Sequence, residues 1–290
     1  MAHSPARYYV PHGTKWPIIG TIGLFTLFLG ASNWLNGGGS GSAWVAGTGV
    51  AIVIVMIFLW FGQVIKESES GEYYNADVDA SFRMGMGWFI FSEVMFFAVF
   101  FGALWYMRNL ALPWLGGEGN SFFTPQLIWP GFEDQWPSNG PANVGGAYEA
   151  MPAWGLPAIN TVILLSSGVT LTIAHHALIA NNRKILTVFL AFTFILGFLF
   201  IGLQAEEYIH AYTELNLKLT TGVYGTTFFM LTGFHGLHVT IGATMLLIIW
   251  IRCLKGHFTP DNHFAFEGIA WYWHFVDIVW LGLFIFVYWL

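Results

Sequence analysis

A chain of 290 residues, 56% of them hydrophobic and only 9% charged, is not built for water, because soluble domains carry about 25% charged residues. Its mean hydropathy is +0.61, and 28 Phe and 15 Trp add to the apolar surface. The formal charge of −6 is thinly spread and leaves no basic footprint for nucleic acid. The single cysteine, Cys253, excludes an intrachain disulfide and a cysteine metal cluster.

Residues 1–15 are polar and hold His3, Arg7, His12 and Lys15. The apolar run that follows is about 20 residues long and lacks an Ala-x-Ala cleavage site, so it reads as a membrane span rather than a signal peptide. That first span runs from about Trp16 to Leu35. A Gly/Ser turn, Gly37 to Ser42, leads into a Val- and Ile-rich span over about 44–65. The polar stretch Lys66 to Asp79 then separates it from a third span over about 81–108. Four more follow, at about 154–180, 185–210, 223–253 and 264–290. The last has 27 residues, which as a helix reach about 40 Å, enough to cross a bilayer. The one long connection, 111–153, is rich in Gly, Pro and Trp and has no Lys or Arg. Loops of this length are usually functional or disordered, and the reading here is an ordered lid on the outer face. The whole of 1–290 thus reads as one all-α polytopic membrane domain with seven transmembrane helices.

Lys and Arg set the orientation. With a cytoplasmic N-terminus, Arg7, Lys15, Lys66, Arg83, Arg183, Lys184, Arg252 and Lys255 share one side, against Arg108 and Lys218 on the other. This is a positive-inside pattern, and it places the C-terminus outside.

Several polar groups fall at membrane depth, where ionisable residues are costly and call for an explanation. Glu93, in the middle of the third span, should face protein or water. It reads either as a proton site or as a neutral carboxyl hydrogen-bonded between helices. His235 and His238 share a helix face at i, i+3 spacing. Two ligands on one helix do not make a metal site, and Gly233 and Gly236 beside them point to close helix packing. The adjacent His175 and His176 point in different directions and cannot jointly grip one ion. Glu206 and Glu207 sit near the end of the fifth span, where a solvated helix end and a contact with a partner are both open. Asp277 lies three residues after His274 and four after Trp273, so imidazole or indole N–H could satisfy its carboxylate from the same helix. That makes His274 and Asp277 a structural polar pair. Lys66, Glu67, Arg83, Arg252 and Lys255 gather near the cytoplasmic face, where anionic lipid headgroups are natural partners for the cations. No phosphate loop, nucleophile triad, zinc motif or covalent haem motif is present. An independent transporter or proton channel using Glu93 and Asp277 is a second reading, and the lack of a paired, interrupted-helix repeat speaks against it.

The motifs Trp271-Tyr272-Trp273-His274-Phe275-Val276-Asp277, Gly233-Phe234-His235-Gly236-Leu237-His238-Val239, Phe91-Ser92-Glu93-Val94-Met95-Phe96-Phe97 and Ala174-His175-His176 resemble subunit III of the haem–copper cytochrome c oxidases. Val223 to Phe229 and Gln204 to Tyr208 match as well, and the likeness runs from about Trp16 to Leu290. The long 111–153 connection suggests a bacterial form, in the inner membrane. The resemblance implies a complex that oxidises cytochrome c, reduces O2 to water and pumps protons, with a quinol oxidase as the close variant. It implies no haem or copper in this chain, those belonging to partner subunits. It implies direct packing on subunit I, with subunit II and small subunits as further neighbours. Helices one and two (residues 16–65) would form one bundle and helices three to seven (81–290) another, around a V-shaped cleft holding phospholipids. The subunit would protect the complex during turnover and support proton uptake into subunit I. Glu93 would match the family's carbodiimide-reactive carboxyl. Lys66, Glu67 and Arg83 would match the cleft region, Arg252 and Lys255 a basic lipid-binding end. His3 and His12 would lie on the arm near the proton entry.

Overall fold

A computed structural model describes residues 13–71 and 75–289; Arg7, His3 and His12 lie outside them. The described residues form seven helices long and apolar enough to cross a membrane, and no strands. They are α1 (Trp16–Leu35), α2 (Gly39–Ser70), α3 (Ala76–Tyr106), α4 (Leu156–Ile179), α5 (Arg183–Thr213), α6 (Gly222–Leu254) and α7 (Phe264–Leu283). Wide π-type turns extend α3 over Met107–Ala111 and α7 over Phe284–Trp289.

Three boundaries differ from those expected. α2 begins at Gly39, so Gly39 to Ser42 of the expected Gly/Ser turn are its first helical turn. α2 continues through Lys66, Glu67 and Glu69 to Ser70, because these polar residues are good helix formers. It stops at Gly71, whose φ of 70° supplies the left-handed turn that ends many helices. α3 begins earlier than expected because Asn75 caps it: the Asn75 side-chain oxygen accepts from the Asp77 and Val78 amides, each at 3.0 Å. Asp77 and Asp79 then sit in the first turn, where negative charge suits the helix dipole.

The chain divides into two compact units, one ending at Phe82 and the other starting at Arg83. In the first, α1 and α2 pack antiparallel at backbone-contact distance. A Cβ placed on Gly49 would lie 2.5 Å from the Leu27 Cα, and one on Gly30 2.7 Å from the Ala46 Cα, so only glycine fits at this crossing. Trp16 donates its indole N–H to Gln63 across the pair at 2.8 Å.

In the second unit, α4, α5, α6 and α7 form a ring in which each packs on its neighbours. Trp273 of α7 lies at its centre with no solvent exposure. Its indole N–H donates to Ser167 of α4 at 2.8 Å. Cβ atoms on Gly197 of α5 and Gly242 of α6 would lie 2.7 Å and 2.8 Å from its ring. One side chain therefore touches all three other helices. α3 lies against α6 and α7 through Phe96 on Phe234, Phe97 on Phe275, Phe89 on Tyr272 and the Arg83–Glu267 ion pair at 2.6 Å.

The long connection is ordered against the turn between α5 and α6. Trp136 and Tyr148 both pack on Tyr224, edge-on and stacked respectively. The Tyr224 amide donates to the Ser138 carbonyl, the Glu149 amide to the Leu215 carbonyl, and Asn216 to the carbonyls of Gly145 and Ala147. Burial pushes the Tyr148 phenol from about 10 up to about 12. A raised acid pKa favours the packed form fully below pH 10, and that contribution is lost as pH rises from 10 towards 12. Tyrosinate absorbance, wild type minus Tyr148→Phe, should therefore show this phenol ionising near pH 12; ionisation near pH 10 would mean the loop stands open.

Candidate functional site

The polar groups at membrane depth are distributed along the second unit rather than gathered in one place. Glu93 of α3 and His238 of α6 meet with 2.9 Å between Glu93 Oε2 and His238 Nε2. The surrounding shell is aromatic: Phe96, Phe97 and Tyr272 all flank the imidazole. The other ring nitrogen, His238 Nδ1, lies 2.6 Å from the Phe234 carbonyl oxygen. A carbonyl only accepts, so Nδ1 carries a hydrogen. This leaves one further proton to be shared between Nε2 and the carboxyl. Either Glu93 is protonated and donates to a neutral ring, or the ring is an imidazolium donating to a carboxylate. The pair can thus hold a proton in two places without changing partners.

His235 lies one turn away on the same helix but serves another contact. Fully buried, its Nε2 is 3.2 Å from the Val276 carbonyl oxygen of α7. Its ring sits between Phe200 and Trp280. The two histidines therefore join α6 to two different helices, α3 and α7.

The His274–Asp277 pair is loose: Nδ1 to Oδ2 is 3.5 Å, and His274 Nε2 is 3.4 Å from the Thr172 hydroxyl. The indole of Trp273 goes to Ser167 and not to the carboxylate. The second oxygen, Asp277 Oδ1, is buried without a hydrogen-bond partner in the protein. Gly168 of α4 makes room for the carboxylate, since a Cβ there would collide with Oδ2. His175 stands against His263 and Phe266.

Glu207 differs from the solvated helix end that was one of its two readings. It has no exposure, and its Oε1 accepts from the Tyr288 hydroxyl at 2.7 Å. Its neighbour Glu206 faces outward. The signal was in the spacing: Leu186, Leu190, Thr193, Gly197, Phe200, Gln204, Glu207 and Ala211 form one buried face at three- and four-residue intervals.

The basic residues have varied surroundings. Lys66 is exposed on α2, and Glu67 beside it accepts from Gln63 at 2.7 Å. Arg83 is held by Glu267 and lies over the Phe264 ring. The Arg252 guanidinium is buried over Phe258, while Lys255 is exposed. Folding adds Arg183 and Lys184, which start α5 beside the end of α6. Arg183 donates to the Phe258 carbonyl at 2.6 Å. Arg183, Lys184, Thr187, Cys253, Leu254 and Gly256 line a shallow depression of about 430 Å³. The Lys and Arg pattern puts these residues on one side, and folding brings the start of α5 against the end of α6 there. Among the described residues, no three His, Cys, Asp or Glu side chains come together as a metal site.

Comparison with known proteins decides the family. The family "Cytochrome c oxidase subunit III" matches residues 6–118 and 120–290. The chain belongs to the cytochrome c oxidase subunit III family. The "Cytochrome c oxidase subunit 3" of Hippopotamus amphibius is 38% identical over 289 residues, spanning 100% of this chain and 99% of the relative. Those of Squalus acanthias and Equus caballus are 37% identical over the same span and with the same coverage. Membership in this family makes the chain a multi-pass membrane subunit of the respiratory oxidase.

Proposed function

We propose that this subunit is a non-redox accessory component of cytochrome c oxidase. On this reading it stabilises subunit I, neighbours subunit II, binds phospholipid and supports proton uptake by the complex, while haem and copper reside in the partner subunits. The observation that carries the reading is the Glu93–His238 contact, which joins α3 to α6 and commits both groups to each other. His235 and Glu207 each use one polar atom on α7 and its C-terminal extension, leaving the other free. Side chains used in this way hold helices together rather than present ligands to a cofactor. Cytochrome c as the electron donor is supported by the names of the relatives.

Phospholipid contact is assigned to Lys66 with Glu67, to Arg83, and to Arg252 with Lys255, the last two extended by Arg183 and Lys184. A headgroup phosphate at Arg83 has to compete with Glu267. The exposed lysines and the depression beside Arg183 offer uncontested positions. The distribution of Lys and Arg supports a cytoplasmic N-terminus, and the long connection supports a bacterial inner membrane.

The purified oxidase with and without this chain tests the proposal. Removing the chain should leave haem and copper per complex unchanged and shorten the number of turnovers before inactivation. A stoichiometric haem band on the isolated chain would overturn it. In the intact complex, Lys66→Ala combined with Lys184→Ala and Lys255→Ala should lower the anionic phospholipid that survives purification. Unchanged lipid content would remove the assignment of these residues.

A further inference from the structure

The α4–α7 ring contains a group of polar atoms for which the protein supplies no hydrogen-bond partner. Asn160 of α4 is fully buried, and neither its amide oxygen nor its amide nitrogen is bonded. Glu207 of α5, also fully buried, uses Oε1 on Tyr288 and leaves Oε2 unbonded. His235 of α6, again fully buried, leaves Nδ1 unbonded.

Contacts through Trp280 of α7 connect the three positions. The Trp280 indole donates to Thr161, the residue after Asn160, at 2.9 Å. Its ring lies against the rings of His235 and Tyr288, with centroids 5.0 Å and 5.8 Å away. Tyr288 in turn holds Glu207. Asn160, Glu207 and His235 all lie on the buried faces of their helices. Three helices thus contribute unbonded polar atoms, and α7 supplies the aromatic frame around them.

The chemistry of the atoms is complementary. His235 Nε2 faces a carbonyl, which only accepts, so the ring hydrogen is on Nε2 and Nδ1 is a bare acceptor. Asn160 offers two donor hydrogens and an acceptor. Glu207 Oε2 accepts, or donates when the carboxyl is protonated there. Buried polar groups in native proteins are bonded either to protein or to ordered water. A buried water typically makes about three hydrogen bonds to such groups.

We propose that Asn160, Glu207 and His235 hold a small internal water cluster, enclosed by Trp280 and Tyr288. The ligand is neutral water rather than a metal ion, because the donor amide of Asn160 and the single carboxyl suit a molecule that both donates and accepts. The cluster links α4, α5 and α6 through hydrogen bonds that the side chains do not make directly. It also gives the Glu207 carboxyl a proton-exchange partner inside an apolar bundle.

A map of the intact oxidase, at a resolution that shows single waters elsewhere, tests this directly. The expected result is at least one peak within about 2.7–3.2 Å of the Asn160 amide and of Glu207 Oε2 or His235 Nδ1. Direct side-chain bonds between these residues with no peak would overturn the proposal. So would a peak with several oxygen contacts at about 2.3–2.6 Å, the signature of a bound cation such as calcium. In Asn160→Leu oxidase the peak should fall to background while the chain stays in the complex. An undiminished peak in that variant would remove Asn160 from the site. If the variant fails to assemble, the wild-type map still decides.

Discussion

Trp273→Ala should lower the apparent melting temperature of this subunit by about 6–20 °C. Truncating a fully buried tryptophan costs about 3–5 kcal/mol, because the transfer energy is lost and the cavity only partly collapses. For a chain of this size each kcal/mol is worth about 2–4 °C. The estimate sits at the high end of single substitutions for a structural reason. Trp273 touches α4 through Ser167, α5 at Gly197 and α6 at Gly242, so its removal loosens three interfaces together. The Ser167 hydroxyl keeps its bond to the Leu164 carbonyl, so packing rather than an orphaned hydroxyl accounts for most of the loss. The glycines provide the reverse experiment. A methyl at Gly242 would lie 2.8 Å from the ring and force it to move, which costs about 1–3 kcal/mol by overpacking. Gly242→Ala should be milder in a Trp273→Phe background, where the smaller ring leaves space. Scanning thermal denaturation of the purified complex measures both. A shift of under about 2 °C for Trp273→Ala, less than 1 kcal/mol on the same scale, would show that the residue does not clasp the bundle.

The features that the sequence carried well were those written into short intervals. Seven apolar runs are local, and seven helices are where they were expected. The ends of α2 and α3 moved because apolarity marks the membrane and not the helix. Lys66 to Ser70 continue the hydrogen-bonded spiral after the hydrophobic run has ended, and Asn75 starts the next helix before its own run begins. The lone burial of Glu207 beside an exposed Glu206 was also present in the three- and four-residue spacing of α5.

Partnerships were hidden where the two residues are far apart in the chain. Helical spacing put His235 and His238 on one face, but it says nothing of which helix stands opposite. Glu93 and His238 are 145 positions apart, and Trp273 and Ser167 are 106 apart. The His274–Asp277 pair shows the opposite bias. Its i, i+3 spacing made it prominent, yet the contact is long and one carboxylate oxygen is left without a protein partner. Proximity along a helix is necessary for such a pair and does not guarantee its geometry. The side chain that organises this region is Trp273, whose reach across the bundle leaves no signature in local spacing.

The Glu93–His238 contact is expected to show a coupling of about 1–2 kcal/mol in a double-mutant cycle, within the range seen for contacting residues. Hydrogen bonds between membrane helices average about 0.6 kcal/mol and reach about 1.7. This one belongs at the upper end, because the aromatic rings around the imidazole offer His238 no substitute. Glu93→Leu strands Nε2 at about 1–3 kcal/mol for an unsatisfied buried group, and His238→Leu strands the half-buried carboxyl at the low end of that range, about 1 kcal/mol. The double variant has nothing left to strand, so it should lose less than the sum. Glu93→Gln separates geometry from proton chemistry. Its amide can donate to Nε2 while Nδ1 still donates to the Phe234 carbonyl, so the cost should stay below about 1 kcal/mol. Detergent-induced release of the subunit from the oxidase gives the energies. Additivity within about 0.3–0.5 kcal/mol would mean that the two residues act independently. A Glu93→Gln oxidase that keeps its subunit but takes up protons more slowly would assign the shared proton a part in uptake. Unchanged uptake would leave the pair as a bond between helices and nothing more.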